Sequence, residues 1–329
     1  MAAKNEKAAL EMTGKQRTKN FAKKYGNVII FVCVFIAGVI ARPSAFLSLN
    51  NIIGIISQAA IAAICCLGMT FVLMTGGIDL SVGYVLGFCT YIFGWSTVTA
   101  GFPVIIGILL TLAVGALCGL LNGILVQIFK IPAFIVTLGT GYIVYGIAQI
   151  VSSGSAITPL PDSMLAVART NILGLNSVVW FMILAAIAAY FILHKSTFGR
   201  ALTSVGLNKE ASALSGINVS FTTIMVYVIC GTLTALGAVL MAARVNNCVV
   251  TMGGTDFTFT AITAAVLGGA SLFGGIGTAW GSLLGVFTIY MIQNILGILG
   301  VNFYMYTAVQ SIIILAAIIF ENVKNRLLQ

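Results

Sequence analysis

Apolar stretches of membrane-spanning length recur along almost the whole of this 329-residue chain, and no other feature constrains its folding more. A bilayer core takes about 20 apolar residues per helix. In lipid every backbone N–H and C=O must be satisfied internally, which leaves helices or closed barrels. Stretches divided by Gly, Pro or polar breaks predict ten helices, near 27–47, 52–74, 81–100, 103–128, 132–152, 177–193, 220–243, 257–272, 276–297 and 302–320. Gly268, Gly269, Gly274, Gly275 and Gly277 interrupt the eighth and ninth. The composition, 60% hydrophobic and 7% charged, lies far from the roughly one-quarter charged content of soluble domains and excludes a soluble enzyme or a disordered chain.

The net charge of +9 would hint at nucleic acid in a soluble protein, but its distribution gives it another meaning. Lys4, Lys7, Lys15, Arg17, Lys19, Lys23 and Lys24 crowd the first 24 residues. With a cytoplasmic N-terminus and ten spans, these join Lys130, Lys195, Arg200, Lys209, Lys324 and Arg326 inside, leaving Arg42, Arg169 and Arg244 outside. That asymmetry follows the positive-inside rule, and no nucleic-acid partner is expected. The basic start followed by the apolar 28–41 run has a signal-peptide outline. The polar region is too long for one, and an uncleaved first span is the better reading. The expected organisation is a cytoplasmic basic tail over 1–26, a membrane domain over 27–320 containing a cytoplasmic loop at 194–219, and a cytoplasmic tail over 321–329.

Cys33, Cys65, Cys66, Cys89, Cys118 and Cys230 lie in apolar runs and read as small apolar residues; Cys248, near a loop, stays open. Gly115, Gly119 and Gly123 match Gly277, Gly281 and Gly285 at an offset of 162, each run four apart on a helix face, the spacing that lets helices approach closely. The offset is near half the chain, so ten spans divide into five and five. An odd number per half makes the halves antiparallel, as in many transporters.

No phosphate-cradling Gly-Lys-Ser/Thr loop is present, and no metal cluster is expected. His194, beside Lys195 and Arg200, reads as an interfacial residue. Ion-coupled carriers usually place several ionisable groups at mid-membrane, and here only Asp79 qualifies. The energy for transport is therefore expected from another subunit.

Three segments carry information. In Met74-Thr75-Gly76-Gly77-Ile78-Asp79-Leu80-Ser81-Val82-Gly83, two glycines break the helix. Asp79 or Ser81 can then accept hydrogen bonds from the amides that begin the third span. The alternative places Thr75, Gly76, Gly77, Asp79 and Ser81 on a translocation path. In the loop after span six, Asn208 can cap a short helix through Lys209, Glu210, Ala211, Leu214 and Ser215 that ends at Gly216. Such a helix suits docking into a groove of a soluble partner, or lying on the membrane surface. The third segment, Ala264 to Thr278, has paired glycines that permit sharp turns near the cytoplasmic side or a re-entrant loop.

Together the three segments resemble the ribose-type permease family, the membrane subunits of ATP-binding-cassette (ABC) sugar importers within the branched-chain amino acid/ribose permease superfamily. The resemblance runs from about Phe46-Leu47-Ser48-Leu49-Asn50-Asn51-Ile52 to the C-terminus. It implies an all-α, type II-like permease of about ten helices in two inverted five-helix halves, in the cytoplasmic membrane of a bacterium with both termini inside. It also implies a second copy or a sister permease, two ATPase subunits or one tandem ATPase, and an extracytoplasmic sugar-binding protein. The 195–218 loop would carry the coupling helix, and no cofactor would bind this chain, ATP staying on the partners. The binding protein would set specificity, with no tight site in the permease.

One departure stands out. Before the Ala264-Ala265-Val266-Leu267-Gly268-Gly269 stretch the family usually reads Tyr-Glu-Leu-Asp, where this chain has Phe257-Thr258-Phe259-Thr260. Asp256 is nearby but out of register. Two charges are missing from an outer pathway or gate segment, which weakens the choice of a particular sugar and favours a heteromeric partner that supplies the acids. The leading expectation is a monosaccharide importer subunit, not an enzyme, with ribose-like pentoses first and galactose, inositol, nucleosides or a furanosyl signal molecule behind. The competitors are a stand-alone secondary transporter or channel for a small polar solute, and an exporter built from the same subunits.

Overall fold

The computed structural model describes residues 14–302, 304–309, 311–313 and 315, with side chains from Tyr25 onward. The side chains of the tail bases, Lys324, Arg326, the end of the expected tenth span and the 321–329 tail lie outside them. The helices are α1 (Gly14–Ala41), the single turn α2 (Pro43–Phe46), α3 (Leu49–Met74), α4 (Val82–Gly94), α5 (Val104–Gln127), α6 (Ala133–Ser152) and α7 (Asp162–Arg169). After them come α8 (Ser177–Lys195), α9 (Thr197–Leu207), α10 (Lys209–Leu214), α11 (Val219–Val245), α12 (Gly254–Leu267) and α13 (Ala279–Ile298). The described residues from 304 onward are helical. A two-residue antiparallel hairpin, β1 (Asn171–Ile172) with β2 (Leu175–Asn176), lies between α7 and α8.

Helix starts follow local chemistry. Pro43, Pro103, Pro132 and Pro161 stand at the openings of α2, α5, α6 and α7, where a missing N–H costs nothing because the first amides have no intrahelical partner. Ser48, Ser196, Asn208, Asn218 and Thr278 cap α3, α9, α10, α11 and α13 through their side chains.

Among the described residues six helices are long and apolar enough to cross a bilayer: α3, α5, α6, α8, α11 and α13. The apolar part of α1, Tyr25–Ala41, and α12 are shorter. The expected third span is α4, only 13 residues, prolonged by a π-helical segment at Trp95–Thr99; at 1.5 Å per residue α4 reaches about 20 Å. The expected eighth span stops at Leu267, because Gly268 and Gly269 leave the helix and Gly269 takes φ +93°. Residues 268–278 then run as turns before α13.

α3 and α11 form the centre. From Ala59 to Met74 every residue of α3 is buried, and α11 packs most extensively on α5 and then on α3. Ile105, Leu109, Leu117, Leu121, Ile143, Ile147 and Ile150 of α5 and α6 point outward, the pattern expected of helices whose outer face meets hydrocarbon.

The matched glycines do pack helices, though at unequal places. Gly115, Gly119 and Gly123 lie in α5 against the backbone of α11, where a Cβ at Gly119 would collide with the Tyr227 carbonyl. Gly281 and Gly285 lie in the first two turns of α13 against Gly268 and Ala264, and Gly277 precedes that helix and meets Met74. The helices beginning at 49, 82 and 104 have successors of like order beginning at 219, 254 and 279. Their separation of 170 to 175 residues differs from the 162 of the glycine runs. The glycine match therefore reflects a shared demand for close packing rather than equivalent positions.

Candidate functional site

The informative segments converge. Met74, the last residue of α3, accepts the Gly275 N–H at 2.8 Å. Gly206, near the end of α9, lies so close to Met74 and Gly275 that a Cβ there would strike both backbones. At Gly274, φ +91°, a Cβ would stand 2.6 Å from the Gly206 carbonyl oxygen and 3.0 Å from the Gly76 amide nitrogen. Gly76 itself, at φ +74°, turns the chain out of α3. Three segments distant in sequence thus meet as bare backbone, which side chains at these positions would prevent.

From this knot α10 projects outward. Asn208 Oδ1 accepts the Ala211 N–H at 2.9 Å and caps the helix, Glu210 lies in its first turn, and Gly216 ends the turn at φ +79°. Lys209, Glu210, Ala211, Leu214 and Ser215 are exposed, with Ser212 the buried contact. Leu214 is 91% exposed and Leu207 69%, so two leucines stand free at the ends of the segment. A leucine fully presented to water loses the 1.5–3 kcal/mol that burial would supply.

Within the 75–81 break Thr75, Gly77, Asp79 and Ser81 are buried, whereas Gly76 is exposed. Thr75 donates to the Val72 carbonyl at 2.7 Å, and a Cβ at Gly77 would stand 2.6 Å from the Tyr227 hydroxyl. Asp79, 2% exposed, accepts through Oδ1 the N–H of Ser81 at 2.9 Å and its hydroxyl at 2.5 Å. Asn122 of α5 donates to Ser81 Oγ at 2.9 Å, and Thr140 of α6 donates to Asn122 Oδ1 at 2.5 Å. Thr137 accepts the Leu80 N–H at 2.9 Å. This polar chain ties the break to α5 and α6 through Asn122, Thr137 and Thr140, which sequence reasoning missed; their signal was a polar side chain inside an apolar helix.

The amide at the second position of α4 is capped from far along the chain. Gly83 N–H donates to Thr258 Oγ1 of α12 at 2.9 Å. Gly83 and Gly87 let the 250–254 backbone lie directly against α4. Thr258 thus faces α4, whereas Thr260, whose hydroxyl donates to the Asp256 carbonyl at 2.8 Å, lies with Asp256 along a cavity between α3, α12 and α13. Residues four apart share a helix face. Asp256, out of register in the linear comparison, therefore occupies the same face as Thr260 one turn earlier, and a carboxylate remains on that face.

His194 stacks on Tyr190 with ring centroids 4.9 Å apart. Cys248 is buried, bridged through its backbone to Ile157, and burial pushes its thiol up to about 12. A thiolate nucleophile is thereby disfavoured at neutral pH. Two outward-assigned bases tie helices together: Arg169 of α7 donates to the Arg244 carbonyl of α11 at 2.9 Å, and Arg244 donates to the Ser57 carbonyl of α3 at 3.0 Å.

Comparison with known proteins matches residues 51–320 to the family described as branched-chain amino acid transport system, permease component. The chain is 35% identical over 301 residues to the ribose import permease protein RbsC of Escherichia coli strain K12, covering 90% of this chain and 93% of that one. It is 33% identical over 319 residues to the RbsC of Haemophilus influenzae, covering 94% and 97%. With the autoinducer 2 import system permease protein LsrC of Salmonella typhi it shares 30% over 294 residues, covering 89% and 84%. No solved structure matches the chain.

Proposed function

Because the chain belongs to the branched-chain amino acid transport permease family and, within it, to the ribose-type ABC sugar permeases, we propose that it is the membrane subunit of an importer for a monosaccharide, a ribose-like pentose first. It is a multi-pass membrane protein and a transport subunit rather than an enzyme. The observation that carries the substrate class is identity to ribose import permeases over nine-tenths of both chains. A furanosyl signal molecule is the second reading, favoured by the match to the autoinducer 2 permease over 89% of this chain and 84% of that one.

In this reading the chain takes ATP-driven force from two ATPase subunits or a tandem ATPase and receives solute from an extracytoplasmic binding protein. It works beside a second permease, and both its termini are cytoplasmic. The capped, exposed α10 supports a docking role: a short rigid helix ending in the free Leu214, hung from the knot of Met74, Gly206 and Gly275, transmits a push on α10 to the end of α3. The repeated order of helices from 49 and from 219 supports ten spans in two inverted halves. The break at Thr75, Gly76, Gly77, Asp79 and Ser81, with Thr258 and Thr260, forms the moving gate, since helix ends joined by side-chain bonds separate more readily than a continuous helix.

Co-reconstitution with the ATPase and the binding protein tests the assignment. Uptake of D-ribose should require all three components and ATP. Uptake by the purified chain alone, driven by a sodium or proton gradient, overturns it.

A further inference from the structure

The cavity between α3, α12 and α13, closed also by Met241 of α11 and by Tyr306 and Thr307 beyond α13, has a volume of about 440 Å³, within the range of small-molecule sites. Its lining is unusual for membrane helices. Gln58 of α3, Asp256 of α12 and Gln293 of α13 line it, and none of these three side chains makes a hydrogen bond among the described residues; only the Asp256 backbone carbonyl is engaged, by Thr260. Gln58 lies on a strongly apolar helix between the buried Ser57 and Ala59, yet it is itself exposed. Facing lipid, an unpartnered amide or carboxylate is costly, so this face must meet water, solute or protein.

The cavity is also held in shape. At one end Asn51 and Asn294 exchange amide hydrogen bonds at 3.1 and 2.7 Å and fasten α3 to α13. Tyr290 contributes an aromatic ring. Among the described residues no Lys or Arg lines the space; Arg244 is committed to the Ser57 carbonyl.

From this chemistry we infer that the cavity is a solute-contact site within the permease itself, selective for a neutral, polyhydroxylated molecule of monosaccharide size. The Asp256 carboxylate accepts hydrogen bonds from two hydroxyls, as a carboxylate with four lone-pair sites can. Gln58 and Gln293 each offer a donor pair and an acceptor to further hydroxyls, and the tyrosine ring covers an apolar C–H face. A lone carboxylate without a lining cation repels phosphorylated or carboxylated solutes. The site thus adds a second selection step after delivery. This inference rests on the importer reading for its role in transport, though not for its ligand chemistry.

Two measurements test it. In the co-reconstituted system, Asp256→Leu and Gln58→Leu should lower the D-ribose moved per ATP hydrolysed by about tenfold, with Asp256→Asn intermediate and thermal unfolding of the purified chain unchanged. An unaltered ratio in both leucine variants overturns the site. If the unaltered system shows no ATP-dependent uptake, the importer reading fails, and the site is judged by the second measurement alone. Gln58→Cys in a Cys33→Ser background, in lipid nanodiscs, should react with a charged, membrane-impermeant thiol reagent. Millimolar D-ribose should slow that labelling, and ribose 5-phosphate should not. Labelling that ignores ribose, or is slowed equally by both, overturns the inference.

Discussion

Asp79 and Thr258 solve the same problem from opposite sides of a helix break. Asp79 closes on its own neighbour, accepting two hydrogen bonds from Ser81, and Thr258 caps the amide of Gly83 from another helix. Asp79→Asn keeps an amide oxygen for both Ser81 donors and should retain most transport, whereas Asp79→Leu strands them. Leaving a buried donor unmade costs about 1–3 kcal/mol, so Asp79→Leu and Thr258→Val should each lower stability by about that amount, and Thr258→Ser by far less. Thermal unfolding in detergent reads the difference. Equal stability of Thr258→Val and the parent would show that the long-range cap contributes nothing. The sequence made Asp79 visible as an isolated acid between apolar runs. It concealed Thr258's role, because a cap 175 residues away leaves no local spacing.

At the scale of elements, α10 separates signal from stability. Its capping residue, first-turn acid and terminal glycine were all legible locally, because caps depend on neighbours within three or four residues. Replacing Asn208 by alanine should weaken the cap by about 1 kcal/mol. Leu214→Glu removes a free apolar contact without disturbing any internal packing, since Leu214 is almost wholly exposed. Leu214→Glu should therefore leave membrane insertion and thermal unfolding unchanged while abolishing stimulation of the partner ATPase by loaded binding protein. Normal stimulation in this variant would remove α10 from the coupling route. The short helices α4 and α12 were less legible. Apolar runs predicted spans over 81–100 and 257–272. The 250–254 backbone lies against α4, which passes into π-helix at Trp95, and Gly268 and Gly269 end α12 at Leu267. Hydropathy registers an apolar environment, and buried backbone beside a glycine face supplies one as well as lipid does.

For the molecule as a whole, glycine positions distinguish close packing from open surface. Gly119 of α5 touches the backbone of α11, whereas Gly146 of α6 has open space around it. Gly119→Leu should prevent α5 and α11 from seating and abolish folded protein in detergent. Gly146→Ala should be neutral or stabilising by up to about 1 kcal/mol, because the substitution reduces unfolded-chain freedom without a clash. Size-exclusion profiles and unfolding temperatures read both, and a well-folded Gly119→Leu would contradict the α5–α11 contact.

Membrane residence, helical class, the permease family and the short capped helix were determined by the sequence alone, because each depends on local composition, periodicity or a contiguous motif. Only the tertiary structure decided which segments touch. It brought Met74, Gly206 and Gly275 into one backbone knot, set Thr258 over the Gly83 amide, and gathered Gln58, Asp256 and Gln293 around one cavity. These are contacts between residues tens to hundreds of positions apart, and packing, not spacing along the chain, selects them.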